Sequence, residues 1–261
     1  MFIQSRVGEI MGCPKITFSL SSEAVTRLDA DGVIIPVFKK AGDASKAKGK
    51  TKTDATASIV WPIKLDKALQ DEILAIADEE KFDGAAGKLL TVRRSTANKL
   101  KARRLVVLGL GEVNKLQAKH WEQHLVKAIN ALFALKEVHH LGILLSKDAP
   151  NVSAEASVAL AVDAVHQATY RSMEAKEPVK DAKKITLLTE SKADARLKAA
   201  LERGEVLARA RSMVKDLVNH PSNLKNTNTL VNRAKEIGKN ADITVKVQSD
   251  AKWLEKNMPC F

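Results

Sequence analysis

The run Arg104–Leu110 (RLVVLGL) carries no polar side chain after its arginine, and this constrains the fold more than any other stretch. A strand with apolar side chains on both faces has no face to offer water. It must be covered on each side, the situation of a strand inside a sheet sandwiched by helices. Asp31–Phe38 (DGVIIPVF) is a second run of this kind, with Pro36 arguing for an edge or an irregular end because proline has no N–H for a ladder. Leu141–Leu145 and Lys184–Thr189 are further strand candidates. Asp242–Gln248 (DITVKVQ) alternates strictly, as a half-exposed strand would.

Amphipathic stretches separate these runs. Lys115–Lys136 gathers Trp121, Leu125, Ala128, Ile129 and Leu132 on one side, and Ala154–Glu174 does the same with Val158, Ala161, Val162 and Val165. Ala193–Val218 is longer and more charged, with Leu207, Ala210, Val214 and Leu217 as its expected inward stripe. Strand and helix alternating in this way predict a layered α/β domain built on a mainly parallel sheet. Aromatic residues are only 4% of the 261, so the core is expected to consist of Leu, Val, Ile and Ala.

Two segments read as boundaries. Lys39–Thr53 holds six lysines and no large apolar side chain, the composition of a mobile loop. Asn219–Asn228 (NHPSNLKNTN) stops the long helix, after which Thr227 is expected to cap a helix from Asn228 to Gly238. The expected organisation is a domain over 1–190, with 1–14 an extension, then a linking helix over 191–218 and a second unit over 219–261. That unit, with one strand and a short helix at Asp250–Asn257, has too little apolar surface to stand alone and reads as a truncated domain.

The residues assemble no catalytic constellation. Gly109-Leu110-Gly111-Glu112 lies where a phosphate-binding turn would fall, but position 114 is Asn where the dinucleotide fingerprint wants a third glycine, and Glu112 would repel a pyrophosphate. A tight strand-to-helix turn explains these glycines. His120 and His124 have the i, i+4 spacing of a shared metal, yet Glu122 between them points nearly opposite and both imidazoles fall on the polar flank, so a solvated helix face is expected. His139, His140, His166 and His220 have no evident carboxylate or Cys partner, and Asp78-Glu79-Glu80 reads as a solvated helix end. Cys13 and Cys260 form no C-x-x-C, which fits a reducing compartment. No run approaches the roughly 20 apolar residues of a membrane span, and Gln4, Ser5, Arg6 and Glu9 interrupt the N-terminus, so a cytoplasmic location is expected.

Charge offers one partner class. Forty-three Lys and Arg against 31 Asp and Glu leave a net charge of +12. The lysines of 39–52 and the cluster Arg93, Arg94, Lys99, Lys101, Arg103 and Arg104 would suit a phosphate backbone. Few aromatics are available for base stacking, Tyr170 being the sole tyrosine, and no helix-turn-helix or zinc-finger spacing occurs. A merely solubilising surface is the competing account.

One segment resembles a known family. The stretch from Glu202 (ERGEVLARARSMVKDLVNHPSNLKNTNTLVNRAKEIG), followed by ITVKVQSDAKWLEKNMPCF, is similar to the approach to the catalytic domain of the leucyl aminopeptidases, the two-metal cytosolic aminopeptidases. Lys215-Asp216-Leu217-Val218-Asn219-His220-Pro221-Ser222-Asn223 matches their R-D-L-x-N-x-P-x-N segment with Lys215 in place of Arg. Asn228 stands where a proline commonly opens the next helix, and Met258 matches a terminal Met. The upstream DGVIIPVF, RRLVVLGLGE and the helix ending at Tyr170 resemble the family's N-terminal domain, which is similar to macro domains. The resemblance implies a macro-domain-like sheet with helices on both faces, a linking helix and the start of a second α/β domain. It also implies the family reaction, hydrolysis of N-terminal residues, often Leu, from peptides by two divalent metals (Zn or Mn) in a homo-hexamer, with DNA binding in some bacterial members. The family's metal ligands and its N-T-D-A-E-G-R box do not occur in these residues, so no catalytic, cofactor or metal residue is carried over. The chain alone is expected to be inactive, with a nucleic-acid-binding or oligomerisation module as the alternative.

Overall fold

A computed structural model describes residues 15–40, 59–61, 65–95, 99–135, 137–145, 152–170, 183–190 and 192–258. Five strands run parallel in the order β1 (Ile16–Ser21), β7 (Lys183–Leu188), β6 (His140–Leu144), β2 (Gly32–Lys39) and β5 (Arg104–Glu112). Two antiparallel strands complete the sheet: β4 (Leu89–Arg93) on the outer side of β5, and the two-residue β3 (Ile59–Val60) against the end of β2. The expected layered α/β sheet is therefore present, with β1, β3 and β4 added to the strands read from sequence.

Alternation along the two central strands divides the core into two layers. Ile34 and Phe38 of β2, with Val106, Leu108 and Leu110 of β5, face α2 (Ala118–Phe133) and α3 (Ala154–Thr169). Val33, Ile35 and Val37, with Leu105 and Val107, face the other way onto Leu69, Ile73 and Ala77 of α1 (Lys67–Glu79). Both sides are apolar because both are covered. The stripes expected on α2 and α3 are all buried.

Pro36 lies in an interior strand, not at an edge. On the side away from β5, β2 pairs with β6 only through Gly32, Val33 and Ile34, and with β3 only at Phe38 and Lys39. Pro36 falls in the gap between these two pairings, where a missing N–H breaks no ladder.

Three expectations for the C-terminal quarter need correction. The helix α4 (Ala195–Asn219) forms as expected but buries Leu197, Gly204, Ala208, Ser212 and Asp216, while Leu207, Ala210 and Val214 face outward. Small side chains four apart let α4 approach α3 closely: a Cβ on Gly204 would stand 3.3 Å from the Ala159 Cα. The next helix, α5 (Thr227–Ala241), is capped by Asn226, whose Oδ1 accepts from the Thr229 N–H, so Thr227 is already inside it. It runs past Gly238 to a left-handed cap at Asp242 (φ 54°). Residues 242–248 are not a strand. The Ile243 N–H donates back to the Gly238 carbonyl at 2.8 Å, laying Val245 over Gly238, and no strand among the described residues is alongside to pair with them. The last helix, α6 (Ala251–Asn257), begins at the Asp250 cap. Of the lysine-rich segment 39–53, Lys39 ends β2 and residues 41–53 lie outside the described residues, as do 1–14.

Candidate functional site

The carboxyl ends of β2 and β5 open onto a crevice of about 370 Å³, the edge of a parallel sheet where ligands commonly bind. Lys39, Leu110, Gly111 and Glu112 form its floor, Ala85 and Ala86 one wall, and Lys115, Leu116, His120 and His124 the other. Its shape depends on glycines. Here β5 continues through Glu112, so Gly109 and Gly111 lie within the strand and not in a turn after it. The loop 84–88 presses on them: the Gly87 N–H donates to the Gly109 carbonyl at 2.8 Å, the Gly109 N–H to the Lys88 carbonyl at 2.9 Å, and the Gly111 N–H to the Gly84 carbonyl at 2.9 Å. A Cβ on Gly109 would lie 2.3 Å from the Ala85 carbonyl oxygen. The glycines admit a neighbouring backbone, which accounts for them without a phosphate.

Charge in the crevice is largely neutralised internally. The Asp83 carboxylate accepts from Lys39 Nζ at 2.7 Å, from Lys88 Nζ at 3.1 Å and from the Ala85 N–H at 3.2 Å. The Lys39 hydrogen bond, aided by Lys88 and against some desolvation, holds that carboxyl well below the usual range. Lys115 pairs with Glu112 at 3.0 Å. His120 is exposed, but His124 is half-buried against Gly87, a departure from the expected solvated face. Burial, with His120 and Lys127 nearby, lowers its pKa and favours the neutral imidazole. Glu122, as expected, turns away: its carboxylate accepts from Gln167 on α3. Among the described residues the crevice lining offers imidazoles and paired ammonium groups and includes no Ser, Thr or Cys. Among the described residues no group of three or more His, Cys, Asp or Glu side chains converges as a metal site.

The other sequence-flagged residues serve the fold. The Asp31 carboxylate accepts the backbone N–H groups of both His139 and His140 at 2.9 Å, and the His140 ring lies 2.9 Å from the Thr186 hydroxyl. His220 Nδ1 lies 2.7 Å from the Asp216 carbonyl oxygen. The motif around Lys215–Asn223 locks the end of α4 to the end of α3. The Tyr170 hydroxyl donates to Asp216 Oδ1 at 2.9 Å and receives from Asn219 Nδ2 at 3.1 Å, while Lys215 Nζ sits 5.2 Å over the tyrosine ring. A polar seam joins α2, α3 and α4: Gln167 also donates to Asp163, which Arg211 engages from α4. Burial, reinforced by Asp163, raises the Glu122 pKa. The crevice is what the sequence reading missed, and the signal was present in Gly84, Gly87, Gly109 and Gly111, which mark two backbones in contact.

Residues 34–179, more than half of the chain, match the N-terminal domain of the cytosol aminopeptidase family. A probable cytosol aminopeptidase of Aromatoleum aromaticum is 26% identical over 241 residues, covering 88% of this chain and 44% of that protein. One from Fusobacterium nucleatum is 26% identical over 206 residues, covering 78% and 39%. The chain thus spans under half the length of these curated relatives. Among solved structures, a mutant tomato leucine aminopeptidase shares the fold with a TM-score of 0.68 at 18% identity, over 95% of this chain and 47% of that one. No helix among the described residues is long and apolar enough to cross a membrane. With both the matched domain and the shared fold on the same residues, this chain belongs to the cytosol aminopeptidase family through its N-terminal domain.

Proposed function

We propose that this chain is the N-terminal portion of a leucyl-aminopeptidase-like metallopeptidase of the cytoplasm and has no peptidase activity by itself. The observation that carries the reading is the pairing of a family match with coverage of less than half of each relative. Removal of an N-terminal residue by two metals needs several ligands converging on a pair of ions roughly 4 Å apart. The described residues present no such group, so they do not fit the family's metals and no chemical step is assigned to them. The role left to this chain is structural: a folded α/β body and the helix α4 that leads on from it. Peptide substrates, the Zn or Mn pair and the family's hexamer belong, in this reading, to a full-length form, while the chain alone is a monomer or a loosely associated species. Incubated with Mn²⁺ or Zn²⁺ and leucine p-nitroanilide, the purified chain is expected to give no turnover above a buffer blank. Turnover that co-purifies with this polypeptide would overturn the reading.

A second reading, binding of nucleic acid, has one favourable observation. The β4–β5 hairpin pairs Arg93 with Arg104 and brings Arg94 beside Arg103 and Lys101, whose own N–H donates to Thr26 next to Arg27. These cations, Arg104 partly and the rest exposed, cluster at one end of the sheet, and Arg103 pairs with Asp31 at 3.7 Å. Backbone-phosphate binding of this kind weakens steeply with salt. A gel-shift titration with duplex DNA is expected to show retardation at low salt that fades at moderate salt, and no retardation at low salt removes this reading.

A further inference from the structure

Two imidazoles of α2 share one wall of the crevice. His120 and His124 are about one helical turn apart, and their ring centroids lie 6.4 Å from each other with the ring planes tilted by 30°. An ion bound by a ring nitrogen at about 2.0–2.1 Å stands roughly 3.2 Å from the ring centroid, so two rings sharing one ion at a tetrahedral angle lie roughly 5 Å apart. The pair is wider than a loaded site by little more than an ångström. Turning one side chain closes that gap, and His120, which is exposed, can make the turn. His124 is the fixed member. It is half-buried with its Nδ1 edge against Gly87, where a Cβ would stand 3.1 Å from that nitrogen, so Nε2 is left for an ion. A ligand already held by packing loses less rotamer freedom on chelation.

The surroundings choose the ion. Both carboxylate oxygens of Glu112 lie against Lys115 Nζ, at 3.1 and 3.0 Å, Lys39 binds Asp83, and Lys127 Nζ donates to the Gly87 carbonyl at 2.7 Å. With its carboxylates engaged and ammonium groups around it, the crevice disfavours hard dications such as Mg²⁺ and Mn²⁺, which depend on oxygen ligands. Imidazole nitrogen suits the later first-row dications, and the burial that favours a neutral His124 ring lessens competition from protons. We propose that the mouth of the crevice is a site for a single dication of the Ni²⁺, Cu²⁺ or Zn²⁺ class, chelated by His120 and His124 with solvent completing its coordination. The crevice, at about 370 Å³, has room for those waters at roughly 30 Å³ each. No third side chain is required, and among the described residues none converges there. Two protein ligands and an open side make the site exchangeable rather than structural. It stands independently of the reading given under Proposed function.

The test titrates the purified full chain with NiCl₂ by calorimetry in a non-chelating buffer. The same titration is run on His120→Ala, on His124→Ala and on the exchange Lys119→His, His120→Lys. One equivalent of Ni²⁺ is expected to bind roughly tenfold or more tightly than to any of these variants, because the second imidazole acts intramolecularly once the first is engaged. Mn²⁺ is expected to give no heat. The exchange keeps the number of histidines but moves one imidazole about 100° around the helix, and both positions are exposed, so it is expected to lose as much affinity as His120→Ala with its melting temperature unchanged. His139→Gln removes an exposed imidazole at the opposite end of the sheet and is expected to change the affinity less than about twofold. With Zn²⁺, the ring resonances of His120 and His124 are expected to shift together in ¹H–¹⁵N spectra. Affinity retained in the exchange variant, binding indifferent to the loss of either imidazole, Mn²⁺ held as tightly as Ni²⁺, or weak uptake spread over all the histidines would each overturn the site.

Discussion

Gly109→Ala is expected to destabilise the fold by about 3 kcal/mol or more, a fall in melting temperature of roughly 6–12 °C for a domain of this size. The new methyl group would stand 2.3 Å from the Ala85 carbonyl oxygen and 2.8 Å from the Gly84 carbonyl carbon, distances at which something must move. What would move is backbone. The loop 84–88 is held to β5 by the Gly87, Gly109 and Gly111 hydrogen bonds, and Gly84, Gly87 and Gly111 all sit at positive φ, where few other residues substitute without strain. Pushing the loop away breaks those bonds and carries off Ala85 and Ala86, one wall of the crevice. Gly142→Ala is the informative contrast. Its Cβ would come as close, 2.5 Å, but to the Leu28 Cδ2 methyl, the free end of a side chain that can change rotamer, and next to Val33 Cγ2 at 3.1 Å. That variant is expected to cost less than the Gly109 one. Thermal unfolding of both checks the ordering, and equal losses would show that side-chain crowding rather than the backbone approach sets the cost.

The same contrast explains what sequence could and could not convey. Runs apolar at every position, such as RLVVLGL, are legible because burial on two faces leaves a pattern that few other structures share. The α2 and α3 stripes are legible for the same reason. β4 (LLTVR) was not, since five residues carry too little pattern to separate a strand from a loop. α4 misled in a more instructive way. A hydrophobic stripe reports which face is destined for burial, not against what, and in this chain the face against α3 is made of glycine, alanine and serine, which no hydropathy pattern singles out. The alternation of DITVKVQ likewise describes a strand's side chains but not its neighbour, and pairing needs the neighbour. As for the crevice, its histidines were visible at i, i+4. The half-burial of His124 was not, because it depends on Gly87 arriving from 37 residues earlier in the chain.

Buried histidine sets the remaining large effect. His166 is 8% exposed on α3, stacked at 5.8 Å over Phe18, with Nδ1 lacking a partner among the described residues. Burial, with Arg209 opposing a second positive charge and Asp163 only partly offsetting it, lowers its pKa to about 4. The folded protein therefore keeps the imidazole neutral, while the unfolded chain protonates it near pH 6.5. Between those values the unfolded state binds the extra proton, so stability falls as pH falls, by about 2 kcal/mol from pH 6.5 to 5 and about 3 kcal/mol once pH 4 is reached. His124 and His140, both lowered mainly by burial, add to the loss just below pH 6.5. Glu122 and Glu205, raised mainly by burial, act in the opposite sense, since acid relieves their buried charge above pH 4.5. Asp83 and Asp31, both lowered, add their losses only below about pH 4, the unfolded carboxyl value, and so leave the histidine window clear. His166→Phe keeps an aromatic ring against Phe18 and removes the titration. Urea unfolding at pH 6.5 and 5 is expected to show a shallower loss in the variant than in the wild type, by about 2 kcal/mol. The slope is the readout, because the variant's stability at neutral pH also reflects its new packing. Identical slopes would mean that the folded protein already protonates His166 above pH 5, by opening the α3–α4 contact that covers it.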